Sequence, residues 1–569
     1  MMSRFLSKFG FALFLLLAVI IGAVAPAYAG DDDAALAKKV DEIFAQWDKP
    51  DSPGCALGII KDGQFIYKRG YGIANLDYSV PISPTTSFYI ASTSKQFTAM
   101  SIALLASQGK ISLDDDIRKY VPEIPQYQSP ITIRHLVHHT SGLRDYLELT
   151  SLAGGYFEDV KTDGDFIEFI ARQKNLNFKP GEKYLYSNSG YFLLSQIVKR
   201  ASGKSLRAFA DENIFKPLGM ANTRFHDDRT EIIKNRAAGY VPRKGGGFSV
   251  VITNFDGVGD GGLFTTIDDL LLWDQNFYNN KLAGGADLIE SLYKPGTLNN
   301  GEKTDYAFAL IPGDFKGLKM ISHGGSFNGF RAEMVRFPAQ KFSVACICNL
   351  GSINATGLAT RVADIFLEKQ LKQPAKIDGK GAASESTFLK LSERELADAS
   401  GLYFNPITET YRRVTKKEGK LFVRSANNTS ELKALSATRF LVANTPSRIE
   451  VSFTPTQPGK AKNMHVAVDE GKPQVFESRT PAAYTPKELS KFAGTFHSEE
   501  LNAKYVFTIK ENKLNVKVGA TETPLEELLI DVFASPQGQI IKFRRDRQNR
   551  IAGFTLSSFR VKELIFNKI

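Results

Sequence analysis

Three cysteines in 569 residues are too few for a disulfide framework. Cys55, Cys346 and Cys348 lie in strand-like runs, Cys55 to Ile60 and Phe342 to Leu350, where a cysteine ordinarily serves as a small buried hydrophobe. A disulfide from Cys55 stays open, and metal binding is not expected. Histidine is also scarce, with seven in the chain. His135, His138 and His139 have helical spacing but lack the acidic partner of an HExxH motif, so neither a metal nor a cofactor is expected. Beyond the first 24 residues no run is apolar enough to span a bilayer. Nor is there a nucleic-acid signature. The formal net charge is +11, and from Lys376 onward 31 Lys and Arg face 22 Asp and Glu. These basic residues alternate with acids, as around Asp546, and no aromatic stacking motif accompanies them. Solvated strand faces account for such a tail; an anionic cell-envelope surface is the one macromolecular partner it suggests.

What is there begins with Arg4 and Lys8, an apolar stretch from Phe9 to Val24, and Ala27-Tyr28-Ala29 just before Asp31. This is the pattern of a secretory signal peptide over 1–29, and it predicts an exported chain, periplasmic in a Gram-negative source. The rest is long enough for two to four domains.

The most informative local feature is Ser92-Thr93-Ser94-Lys95 at the head of an apolar segment containing Phe97, Met100, Ile102, Leu104 and Leu105, with Gly109 as its stop signal. Residues i and i+3 share a helix face, so a hydroxyl nucleophile and an amine can enter one pocket. Tyr186-Ser187-Asn188 precedes a second amphipathic segment, Tyr191 to Ser202, closed by Gly203. His323-Gly324-Gly325-Ser326 precedes a strand-like run from Phe330 to Phe337.

Strand-like runs at Ala56 to Ile60 and Phe65 to Lys68 flank a hairpin signal at Lys61-Asp62-Gly63. More follow at Tyr306 to Ile311, Met320 to His323, Ala332 to Phe337 and Ser343 to Cys348, with a closing helix over 354–371. Ser112 with Asp115, and Thr266 with Asp269, have the spacing of helix capping boxes. Residues 373–386 read as a linker. After it an internal repeat appears: Leu396, Gly401, Leu421, Val423, Leu432 and Phe440 recur as Leu489, Gly494, Leu514, Val516, Leu525 and Phe533, always 93 residues apart. Each copy reads as a small antiparallel barrel, over 387–480 and 481–569.

The order Ser-x-x-Lys, Tyr-x-Asn, Gly-rich strand triplet resembles the penicillin-recognising serine hydrolases, which include class C β-lactamases, DD-peptidases, family-VIII esterases and D-aminopeptidases. The likeness covers roughly residues 35–370, within a first domain over 30–372. It implies an α/β (α+β) β-lactamase/transpeptidase-like domain, an antiparallel sheet with a helical lobe. With two lipocalin-like barrels behind it, the layout is most similar to D-aminopeptidases. The resemblance also implies roles. Ser92 would be the nucleophile, Lys95 its base, Tyr186 a proton shuttle and Asn188 a clamp on lysine and substrate. The N–H groups of Ser92 and Ser326 would form the oxyanion hole. His323, Gly324 and Gly325 replace a more usual Lys-Thr-Gly, removing a permanent cation and a hydroxyl. Carboxylate recognition should then weaken, and Gly325 would stay small so that substrate can lie along the strand. Asp260 and Arg331 are further cleft candidates.

The resemblance implies a serine hydrolase forming an acyl-enzyme on amides or peptides that contain a D-amino acid. A carboxylesterase, a β-lactamase or DD-peptidase, and a non-catalytic sensor or scaffold are the alternatives. Removing residues after Lys372 should alter selectivity more than the reactivity of Ser92.

Overall fold

The computed structural model describes residues 31–372, 388–426, 428–445, 448–454, 462–468 and 471–569. The signal-peptide segment 1–29 and the linker 373–386 lie outside the described residues. Among those described, no helix is long and apolar enough to cross a membrane.

The first domain is built on a six-stranded antiparallel sheet in the order Ile311–Phe315, Leu318–Phe327, Phe330–Phe337, Phe342–Cys348, Cys55–Lys61, Gln64–Tyr71. The first hairpin turns at Asp62 and Gly63, both at positive φ, which matches the right-handed twist of its strands. Cys55 sits opposite Cys348 in register and is joined to it by a disulfide, while Cys346 is buried and free. The bridge thus ties the amino-terminal hairpin to the last strand of the sheet.

Both faces of the sheet are covered, which explains the nearly continuous apolar run in Cys55–Lys61. On one face Leu57, Ile59, Val335 and Val344 pack against Val40 and Phe44 of the Asp31–Phe44 helix and Leu358 and Val362 of the Ala355–Leu367 helix. On the other, Ala56, Ala345 and Ile347 join the core of the helical lobe, whose centre is the Lys95–Ser107 and Asn188–Ser202 pair. Both helices stop where glycines follow, Gly109 (φ 68°) and Gly203 (φ 75°), in the left-handed conformation that ends a helix cheaply.

Two local expectations are corrected. Tyr306 to Ile311 is not a strand: residues 306–310 form a buried irregular segment with Ala309 at φ 53°, and pairing begins only at Ile311. Packing of the Tyr306 ring against the active site overrides the strand-like composition. Ser112 and Asp115 do bond through Ser112 N–H to Asp115 Oδ2, but they close a turn, and the short 3₁₀ segment Ile117–Lys119 is capped by Asp116 instead.

Beyond residue 388 the chain forms two β-barrels. Gly401–Asn405 to Gln474–Arg479 closes as eight strands. Gly494–Ser498 to Leu564–Lys568 follows the same order, nearly closed, with its fourth strand broken at Leu525 into Thr521–Pro524 and Glu526–Leu529. The repeat extends to the leading helices. Ser392 and Glu395 form a capping box, and so do Thr485 and Glu488, each 93 residues further on. The second barrel is not a separate body. Leu149 and Leu152 of the first domain belong to its core, beside Phe496, Phe554 and Phe566.

Candidate active site

Ser92 lies in a 3₁₀ turn, Ala91–Ser94, that runs directly into the Lys95–Ser107 helix. Ala91, just before it, is held at φ 47°, a conformation that costs a non-glycine residue about 1–2 kcal/mol. The turn presents Ser92 half-buried at the edge of a cavity of about 1150 Å³. Lys95 is wholly buried one turn away, its Nζ 3.2 Å from Ser92 Oγ. The ammonium position is fixed by Asn188 Oδ1 at 2.8 Å and by the backbone carbonyl of Asp260. Burial pushes the lysine down to about 7, partly opposed by the carboxylates of Asp260 and Asp145 and helped by the Arg560 cation. A free amine beside the serine hydroxyl is therefore available near neutrality.

Tyr186 completes the group. Its ring centroid is 4.9 Å from Lys95 Nζ and 4.8 Å from the Arg560 guanidinium carbon. Despite these cations, burial raises its pKa and keeps the phenol protonated; the hydroxyl of Ser92 is the neighbour that favours ionisation most. The phenol oxygen has no partner in hydrogen-bond geometry. Asn188 opens its helix, with its N–H donated to Asp145 Oδ2 at 2.7 Å. Asp145 Oδ1 caps the Tyr146–Leu152 helix by accepting from Leu147 and Glu148 N–H. One carboxylate thus orients two helix starts at the cleft.

The strand Leu318–Phe327 supplies the opposite wall, with His323, Gly324, Gly325 and Ser326 all lining the cavity. Its backbone is packed onto the serine turn: Thr93 Oγ1 donates to His323 O at 3.4 Å. His323 is buried and its pKa is pushed down to about 3, by burial first and by Lys95 second, so it is neutral. Gly324 O can only accept, so Nδ1 carries the proton to it at 2.7 Å and Nε2 accepts from Tyr306 Oη at 2.9 Å. Both ring nitrogens are used within the protein, which makes His323 a support for Tyr306. Gly325 has a different reason to be small from the one its sequence suggests. A Cβ there would lie 2.1 Å from Ile90 O and 3.0 Å from Thr93 Oγ1, in the backbone that leads to Ser92 rather than in the substrate path. Gly325→Ala is therefore expected to displace the serine turn and lower kcat/KM about 100-fold while circular dichroism stays unchanged. A variant within threefold of wild type would show that the turn can yield.

His139 packs directly on the site. Its ring is 4.1 Å from that of Tyr186 and 4.5 Å from that of Tyr306, and Ser187 N–H donates to its Nδ1. Asp260 also lines the cavity. Burial raises its pKa, and Tyr146 Oη donates to its carboxylate. Arg331 lines it as well, with Nη1 spent on the carbonyls of Asn328 and Phe330. Sequence reasoning missed Tyr306, Asp145 and Arg560. Only Asp145 had a usable signal, the helix-start spacing to Glu148.

A family model described as Beta-lactamase matches residues 40–365, and the chain belongs to this family. It is 30% identical over 297 residues to a D-aminopeptidase of Gluconobacter oxydans, covering 52% of this chain and 56% of that protein. It is 33% identical over 295 residues to Penicillin-binding protein 4* of Bacillus subtilis, covering 48% of this chain and 63% of that one. The chain thus spans a little over half the length of these curated relatives. Among solved structures, an octameric penicillin-binding protein homologue from Pyrococcus abyssi aligns with a TM-score of 0.55 at 25% identity, over 78% of this chain and 99% of its own. The fold is the β-lactamase/transpeptidase-like one, followed by barrels.

Proposed function

We propose that the chain is a serine hydrolase working through an acyl-enzyme on Ser92, with amides or peptides that contain a D-amino acid as substrates. The observation that carries this is the buried Lys95 amine 3.2 Å from Ser92 Oγ. Lys95 takes the serine proton as Oγ adds to the substrate carbonyl carbon. The N–H groups of Ser92 and Ser326 receive the oxyanion, in the seam where the serine turn meets the strand. Tyr186, neutral and unbonded at its oxygen, relays the proton from Lys95 to the leaving nitrogen. The C–N bond breaks, the amine departs, and water attacks the ester by the reverse route, returning a proton to Oγ. The D-amino-acid preference rests on the relatives named D-aminopeptidase. Export is part of the proposal, supported by the amino-terminal pattern and by the Cys55–Cys348 disulfide, which suits an oxidising compartment.

A neutral p-nitrophenyl ester is expected to leave its acyl mass on Ser92, located by peptide mass spectrometry. Turnover of a D-alanyl anilide should exceed that of a chromogenic cephalosporin. The absence of a Ser92 adduct would support a binding role in place of catalysis, and faster cephalosporin turnover would reverse the substrate ranking.

A further inference from the structure

Most of the cleft is lined by the first domain, but Phe559 and Arg560 reach it from the second barrel. They sit on the loop between strands Ile551–Ser557 and Leu564–Lys568. The main chain of this loop is firmly held. Arg560 N–H donates to Glu148 Oε2 at 2.6 Å, Asn177 Nδ2 donates to Arg560 O at 2.9 Å, and Lys562 N–H donates to Asn177 Oδ1 at 2.8 Å. Ser558 Oγ also donates to Glu148. The Arg560 side chain is treated differently. Its Nε is buried with no hydrogen-bond partner. Its Nη1 is ion-paired with the buried Asp145 Oδ2 at 3.6 Å, longer than a hydrogen bond, and that oxygen also accepts from Asn188 N–H. A rigid loop therefore delivers a guanidinium to the nucleophile's neighbour Tyr186 and leaves its donors underused.

The cleft holds two other arginines, and it is Arg560 whose guanidinium lies over the ring of Tyr186. Arg331 serves backbone carbonyls, and Arg236 lies over the ring of Phe264. The strand triplet offers no cation, since His323 is neutral and bonded on both nitrogens. Arg560 brings a positive charge to the cleft from another domain. A guanidinium presents its N–H groups as a planar fork matched to a carboxylate, and it repels an ammonium.

We propose that Arg560 is a substrate-binding residue for a carboxylate near the scissile amide, so that the enzyme prefers short D-amino-acid peptides with a free carboxylate to their uncharged counterparts. The inference rests on the acyl-enzyme reading at Ser92 and names the substrate class of that site.

Two matched pairs test it in the full-length protein. N-acetyl-D-alanyl-D-alanine against its carboxamide places the carboxylate on the leaving group. N-succinyl-D-alanine p-nitroanilide against the N-acetyl compound places it on the acyl side. Wild type is expected to prefer the charged member of at least one pair about tenfold or more in kcat/KM, mainly through KM. Arg560→Gln should reduce that ratio about tenfold, and Arg560→Lys should retain part of it. Equal kcat/KM for both members of both pairs in wild type overturns the proposal without needing a variant, and so does a ratio that Arg560→Gln leaves intact. Acylation of Ser92 by the neutral ester separates the two failures. If the adduct forms and the ratios are flat, only the role of Arg560 falls; if no adduct forms, the acyl-enzyme reading falls with it.

Discussion

Ser92→Ala and Lys95→Met each lower kcat about 10⁴- to 10⁶-fold in the expected result, and the double variant loses little beyond the worse single one. Groups that act as a unit in one proton transfer are strongly non-additive, because either deletion already removes the whole step. The unit is visible in the distances: Lys95 Nζ contacts Ser92 Oγ, Asn188 Oδ1 and the Asp260 carbonyl. Tyr186 cannot substitute, because burial raises its pKa and keeps its proton in place. Single-turnover acylation read by mass is the measurement, since it isolates the step. A Lys95→Met variant within tenfold of wild type would remove lysine from the role of base.

The same lysine sets the pH dependence. With its pKa lowered to about 7, the free amine predominates above that pH, so kcat/KM in wild type should rise through an acid limb near 7. Stability carries a related signature. The unfolded lysine holds its proton up to its ordinary value of 10.5, the folded one only to about 7. Between those limits the unfolded chain binds more protons, so Lys95 makes stability rise with pH there. Asp260, raised by burial, contributes the opposite slope at lower pH, where the folded chain holds the extra proton. Lys95→Met should flatten the slope above 7 in urea midpoints.

What was legible in the sequence was what short segments decide alone. Ser92 and Lys95 come together by their i, i+3 spacing, with Ser92 in the 3₁₀ turn that leads into the helix, Asn188 opens a helix that ends at a glycine, and the 93-residue repeat survives in two capping boxes. The illegible parts depend on partners far along the chain. Tyr306 reads as strand because its neighbours are apolar, yet its hydroxyl is held by His323 and its ring by His139. The missing cation at His323 was legible; the positive charge brought to the cleft from another domain was not, because Arg560 is separated from Tyr186 by two barrels of sequence. The three cysteines looked alike in their strands, and only the antiparallel register singles out Cys55 with Cys348.

Arg144→Met is expected to destabilise the protein by about 3–5 kcal/mol, the usual result of leaving a buried carboxylate without its cation. Arg144 is fully buried, with Nη1 2.7 Å from Glu500 Oε1 in the second barrel, whose side chain is 4% exposed. Its Nη2 donates to the carbonyls of Lys562 and Glu563, and its own carbonyl accepts from Ser189. One residue thus joins the helix that begins at Asn188, through its carbonyl, to the barrel and the loop bearing Arg560, through its side chain. Urea unfolding of the full chain, followed by fluorescence, is the measurement. Arg144→Met/Glu500→Leu should regain most of the loss, since no charge is then stranded, whereas a loss below about 1 kcal/mol in the single variant would mean that water reaches Glu500. This packing argues against treating the barrels as detachable modifiers of selectivity. Leu149 and Leu152 lie in the second barrel's core, and the helix they belong to begins at Asp145, whose carboxylate also fixes Asn188. Truncation after Lys372 would expose those leucines, strip Arg144 of its partner and loosen Asn188. The reactivity of Ser92 should then fall together with selectivity, because the lysine clamp and the barrel rest on the same short helix.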